Sequence, residues 1–345
     1  MAKPDIAARD AVPGTAKGTG AGTAPAGPAR LGGGSWAAAG KRTLGEFKRD
    51  FLSDRAAALT YYSVLSIFPA LLVLVSLLGL AGTSARPLIA NLSHALPGNV
   101  RTIVLTAVTH LQHSAGAAGA LAVVGIVLGL WSASGYVAAF MRAANAVYDV
   151  PEGRPFWKTV PTRLGITLAV LVLLVASAII VVVTGGLARH AGQILGVGPA
   201  AVTVWDIAKW PVLLIFVMLM FGILFWASPN VRHGLRWVSP GAAVAVVGWL
   251  VASGLFALYI ANFGHYNKIY GSLAGVIIFL IWLWVSNLAI LLGAEFNAEL
   301  ERGRAMAAGA PPTQEPYAPL RDTRKLDSGA GPGAAPAPRA APEER

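Results

Sequence analysis

Cysteine is absent from this 345-residue chain, and charge is scarce at 12% Asp, Glu, Lys and Arg. The missing cysteine excludes a disulfide-stapled secreted scaffold, Fe–S clusters, thiolate zinc and cysteine nucleophiles. The scarce charge falls well below the roughly 25% of an ordinary soluble domain. It is also unevenly spread: residues 1–56 and 296–345 hold 16 of the 27 Lys/Arg and 12 of the 16 Asp/Glu. The 239 residues between them keep 11 basic and 4 acidic side chains. So few charges cannot cover a water-facing surface of that size, which excludes a soluble enzyme. The sequence also lacks HExxH, GxxxxGK[ST] and GxSxG, the signatures of zinc peptidases, P-loop NTPases and serine hydrolases. His110 and His113 stand three apart with no third ligand nearby in sequence. No catalytic residue, cofactor or metal site is expected.

What the chain has is long apolar runs. A helix needs about 20 apolar residues to cross roughly 30 Å of hydrocarbon. Six runs qualify, near 58–81, 117–140, 164–187, 210–227, 240–261 and 272–295, none with a charge in its middle. The fold class expected is an all-α polytopic membrane protein with six transmembrane helices and short amphipathic interfacial helices. If the N-terminus is cytoplasmic, the inner segments carry 22 Lys/Arg and the outer ones 5. That bias places both termini in the cytoplasm and turns the net charge of +11 into an orientation signal, with no nucleic acid partner expected. The expected partners are membrane lipids and, through helix packing, a second copy of the chain.

Residues 1–43 and 303–345 are rich in Gly, Ala and Pro and read as disordered cytoplasmic tails around a membrane domain over 44–302. Leu44, Phe47 and Phe51 recur at helical spacing among Lys48, Arg49 and Arg55, which suits a basic amphipathic helix in the headgroup layer or a solvated lead-in. Two apolar stripes within 82–116 suggest short helices on the outer face, either capping a cavity or resting on lipid. In lipid, small residues four apart mark close helix contact. Gly125/Gly129 and Gly271/Gly275 form two such pairs. Pro69 is expected to kink the first span; Pro211 and Pro240 read as first-turn prolines.

Neutral polar residues are then the informative ones. Tyr61, Tyr62 and Ser63 in span one, Ser132 and Tyr136 in span two, and Asn287 in span six fall in the inner half of the bilayer, with Glu295 at its inner edge. They read either as a polar cavity open to the cytoplasm or as interhelical hydrogen-bond glue. Asn262, Tyr266 and Tyr270 cluster at the outer face, as an aromatic belt or a gate.

The segments AAALTYYSVLSIFPALLVLVSLLGL (56–80), GLWSASGYVAAFMRAANAVYDVPEGRPFWK (129–158) and the long run over 239–302 resemble the YihY/BrkB family of bacterial inner-membrane proteins. The resemblance covers about 44–302 and implies six spans with cytoplasmic termini. The residues matching its motifs are Tyr61, Tyr62, Pro69, Trp131, Tyr136, Asn145, Tyr148, Asn262, Tyr266, Tyr270, Gly271, Ser272, Asn287, Glu295, Asn297 and Glu299. Glu295 and Glu299, one turn apart, are placed to pair with Arg142 or Arg163 as an ion pair or a gate. The resemblance implies an envelope role: export of a lipid or other amphiphile, with a non-catalytic scaffold as the alternative. Family members also carry a ribonuclease BN label, which this sequence does not support because it lacks a His/Asp metal-binding set.

Overall fold

A computed structural model describes residues 27–28, 31–80, 118–182, 198–262, 273–312 and 314–329. In chain order the helices are α1 (Gly33–Arg49), α2 (Leu52–Leu80), α3 (Ala118–Val147), α4 (Phe156–Val182), α5 (Pro199–Ala227), α6 (Leu235–Asn262), α7 (Leu273–Ala307) and the short α8 (Arg324–Gly329). No strand occurs among the described residues, only an isolated antiparallel bridge between Val231 and Leu320. Among the described residues, four helices are long and apolar enough to cross a membrane: Phe156–Val181, Ala200–Ala227, Trp237–Ala261 and Gly275–Ala307. The first two apolar runs of the sequence fall in α2 and α3. The outer segment 82–116 lies outside the described residues.

The long helices overshoot the runs that predicted them. At about 1.5 Å per residue, a helix the length of α7 spans roughly 50 Å, more than the ~30 Å of hydrocarbon. Most of the excess collects where α2, α4 and α6 begin and α3 and α7 finish, here called the base. The buried core sits there: Leu52, Ala56 and Leu59 of α2, Phe140 and Val147 of α3, Phe225 of α5, Ala245 of α6, and Leu291 and Ala298 of α7 pack together. Further along, the helices turn large apolar side chains outward, among them Val172, Ile207, Leu255 and Leu258. Water would penalise such a surface; acyl chains solvate it.

α6 and α7 meet closest at the base. A Cβ on Gly293 would lie 2.5 Å from Gly241 O and 2.6 Å from Ala245 Cβ, and one on Gly241 would overlap Gly293 O and the Asn297 amide. Asn297 bridges the backbone beside Pro240, accepting from Gly241 N (2.7 Å) and donating to Val238 O (3.0 Å). Pro240 and Pro211 lie inside α6 and α5, not in first turns, because both helices start earlier than hydropathy alone suggests. Of the predicted packing glycines, Gly129 is buried and Gly125 lies in α3, while Gly271 is outside the described residues. Gly275 is exposed, and a Cβ there would meet nothing within 4 Å. The reason is that α6 and α7 leave a groove beside it, lined by Phe256, Ile260 and Phe279.

Order extends past both expected domain limits. α1 starts at Gly33 and packs on α7, anchored by Leu31, Trp36 and Ala39 against Trp237, Leu300 and Phe296. The apolar stripe is split: Phe47 packs on the core, whereas Leu44 and Phe51 are exposed. After α7, residues 314–323 return along the base as a strap, with Ala318 buried and Tyr317 and Leu320 packed on the core. A few large apolar anchors in a Gly/Ala/Pro-rich background suffice to fix these segments, and composition averages hide them.

Candidate functional site

Two polar groups occupy the α2–α3–α7 face, at different depths. The deeper one is a closed chain. Tyr136 donates its hydroxyl to Asn287 Oδ1 (3.0 Å), Asn287 Nδ2 donates to Thr60 Oγ1 (3.1 Å), and Thr60 donates to Ala56 O (2.8 Å). Asn287 is only 4% exposed, and its amide is used on both sides. This links three helices without leaving an orphaned group. Ser63 and Ser134 donate to carbonyls of their own helices, and Ser132 reaches across to Leu65 O (3.3 Å). Tyr62 packs against the core beside Gly135, under the Arg142 guanidinium at 5.9 Å, whereas Tyr61 is 61% exposed on the outer surface.

The second group lies at the base and is ionisable. It is assembled from the α1–α2 junction, the end of α3, the α5–α6 loop, α7 and the strap. Arg302 is its hub: it donates to Glu315 (3.0 Å) and Glu299 (3.4 Å), stands 3.6 Å from Glu46 and from Asp149, and covers the Tyr317 ring at 5.0 Å. Glu299 also pairs with Arg42. Glu295, 1% exposed, faces the Asp50 carboxyl, and the two acids perturb each other. Two neighbouring buried carboxyls resist carrying two charges, which favours one of them keeping its proton. Burial raises the pKa of Asp50, the Glu295 contact opposes it, and the charge of Glu46 adds to it. Asp149, held at φ 51°, is pushed up to about 6 by burial and by Glu315 and Asp50.

Several atoms in this base group have no hydrogen-bond partner: Glu295 Oε2, Glu301 Oε2, Tyr317 Oη and both ring nitrogens of His233. The His233 side chain is 0% exposed, with Nδ1 3.4 Å from Glu301 Oε2 and its ring 5.6 Å from that of Tyr148. Tyr148 in turn stacks on Tyr317 at 6.3 Å. Burial and nearby acids hold both phenols well above their ordinary pKa.

Asn145 joins the same end but serves as a brace. It donates to Glu152 (2.9 Å) and accepts from Asn230 N (2.7 Å), while Asn230 exchanges hydrogen bonds with the backbone of Asp322 in the strap (2.9 and 3.1 Å). Burial raises the Glu152 pKa, but its bonds to Arg154 and Asn145 outweigh that, and it lies below its usual range.

The structure thus brings together Tyr136 and Asn287, and separately Glu295, Glu299, Tyr148 and the base acids. It does not pair Glu295 or Glu299 with Arg142 or Arg163: Arg142 faces Tyr62 and Arg163 covers Trp131 at 4.9 Å. Asn262 closes α6, and Tyr266 and Tyr270 lie outside the described residues. His233, Glu301, Glu315 and Tyr317 were missed because they fall in a loop, beyond the predicted span or in the supposed tail. No group of three or more His, Cys, Asp or Glu suited to a metal ion occurs among the described residues.

Comparison with known proteins fits this architecture. YfkH of Bacillus subtilis (strain 168), whose name carries the words ribonuclease-like, is 31% identical over 264 residues, 76% of this chain and 94% of its own. UPF0761 membrane proteins of Alkalilimnicola ehrlichii and Chromohalobacter salexigens are 29% and 30% identical over 74% and 72% of this chain, which spans 56% and 60% of their lengths. No solved structure matches. The family described as Virulence factor BrkB matches residues 43–318, from α1 through the core-packed part of the strap, and this chain is a membrane protein belonging to that family.

Proposed function

We propose that this chain spans a bacterial inner membrane six times with both termini cytoplasmic, and that it moves an envelope lipid or other amphiphile past the polar base. The observation that carries the reading is the set of unpartnered buried atoms on Glu295, Glu301, His233 and Tyr317. Each orphaned polar group costs about 1–3 kcal/mol, a cost that a purely structural core sheds by substitution. A transporter needs groups able to exchange partners at such a place. The inner-facing orientation of the base follows from the positive-inside bias, 22 Lys/Arg against 5.

The test is lipid profiling of a deletion strain complemented with the wild type or with Glu295→Gln. An envelope amphiphile should accumulate on one side in the deletion and in the Glu295→Gln strain, at equal protein level. Normal profiles with Glu295→Gln would refute the role given to the base. A scaffold reading draws on the fully satisfied Tyr136–Asn287–Thr60 chain. It predicts instead that bulky changes at Gly241 or Gly293 do damage while polar changes at the base do none. The proposed reading includes no catalytic step, so purified protein with Mg²⁺ should leave a tRNA precursor uncut.

A further inference from the structure

Between α5 and α6 lies a groove of about 260 Å³, walled by Ile215, Leu219, Ile223 and Trp226 of α5 and by Val238 and Ala242 of α6. It passes Gly222, where a Cβ would meet nothing within 4 Å. From Ile215 to Trp226 the helix rises about 16 Å, close to half of a ~30 Å hydrocarbon layer. The groove is therefore one leaflet long and ends at the base.

At that end, the Arg321 guanidinium covers the Trp226 ring at 5.4 Å. It donates to the carbonyls of Trp226 (2.7 Å), Val231 (3.2 Å) and Ala227 (3.5 Å), and no carboxylate among the described residues comes within 4.0 Å. Three of its five N–H groups are used. Burial, and then the charge of Arg154, lower its pKa, against a smaller opposing pull from Glu152. An apolar channel of leaflet length with a cation at its mouth, lacking a carboxylate partner, complements an anionic amphiphile.

We propose that this groove binds an anionic phospholipid of the basal leaflet, its acyl chain lying along Gly222 and its phosphate resting on Arg321. The inference rests on the membrane reading, not on transport, and it uses none of the Glu295 cluster. The two ideas therefore fail separately: Glu295→Gln leaves the groove intact.

The experiment titrates purified full-length protein in detergent with phosphatidylglycerol or phosphatidylcholine, reading bound lipid by native mass spectrometry and stability by melting. Wild type is expected to bind phosphatidylglycerol about tenfold more tightly than phosphatidylcholine, a difference of roughly 1.4 kcal/mol. Arg321→Gln should erase that preference. Because Arg321 also holds the strap, the second variant is Gly222→Leu, which fills the groove without a clash at Cβ and should melt no lower in plain detergent. It should lose both lipids. Unchanged phosphatidylglycerol binding by Gly222→Leu would overturn the proposal, as would inorganic phosphate alone reproducing the stabilisation. A shift from dimer to monomer in Gly222→Leu, with lipid binding kept, would overturn it in favour of a second copy as the occupant.

Discussion

Replacing Asn287 by Leu tests whether the Tyr136–Asn287–Thr60 chain holds the helices together. Leu is of similar size, so the change removes hydrogen bonds more than volume. It deprives the Tyr136 hydroxyl of its acceptor at 3.0 Å and Thr60 Oγ1 of its donor at 3.1 Å. Interhelical bonds in membrane proteins average about 0.6 kcal/mol and reach about 1.7. Two of them, with the Tyr136 hydroxyl left buried, put the loss at about 1–3 kcal/mol. Tyr136→Phe removes one bond and should cost about 1 kcal/mol. In the double variant no hydroxyl is orphaned, so its loss should fall short of the sum by about 0.6–1.7 kcal/mol. Reversible unfolding in mixed micelles of all four proteins gives the coupling directly. A coupling near zero would show that the bond contributes nothing. Loss of complementation by Asn287→Leu at unchanged stability would mean that the amide handles substrate and is not merely a tie.

Two further outcomes are expected. Gly293→Val drives a side chain against Gly241 O and Ala245, so it should lower stability by about 1–3 kcal/mol or prevent folding, whereas Gly275→Leu, entering open space, should change it little. The Asp149 pKa is raised to about 6 in the folded chain, so the folded state binds more protons than the unfolded one between about pH 4 and 6. Stability contributed by Asp149 is therefore present below that window and lost as pH rises through it. Asp50 shifts the same way. Melting profiles of Asp149→Asn should show a shallower decline with pH than wild type; identical slopes would contradict the shift.

Much of this architecture was legible in the residues because lipid imposes one rule on every spanning segment: apolar for about 20 residues, with charge outside. That rule located the runs now found in α2 to α7, and polar exceptions to it singled out Tyr136, Asn287 and Glu295. It could not say where helices end in water, so α7 was cut at 295 although it continues to Ala307. Four acids and an arginine were left on the wrong side of that cut or in the tail: Glu299, Glu301, Arg302, Glu315 and Asp322. Small-residue spacing picked out Gly275, where a Cβ would touch nothing among the described residues of this chain, and passed over Gly241 and Gly293, since which glycines touch depends on where two helices converge, and no one-helix pattern encodes that. Tyr317 was hidden by the composition of its neighbours.

Glu295 is where stability and the proposed function should come apart. A residue kept for structure should satisfy its neighbours, as Asn287 does; Glu295 is 1% exposed with an oxygen that has no partner, and it faces a second acid. An apolar side chain of similar volume avoids both costs, as replacement of buried charged groups elsewhere often does. Glu295→Met should therefore melt higher than wild type, by about 1–3 kcal/mol in unfolding free energy, while failing to complement a deletion strain. Asp50, freed of its partner, should then titrate higher, because the Glu295 contact that opposes its burial is gone. If Glu295→Met were both less stable and inactive, the carboxyl would be a structural element and the base would lose its claim to function. If it were more stable and fully active, the buried acid would serve neither purpose, and the search for a working site would move to the groove between α5 and α6.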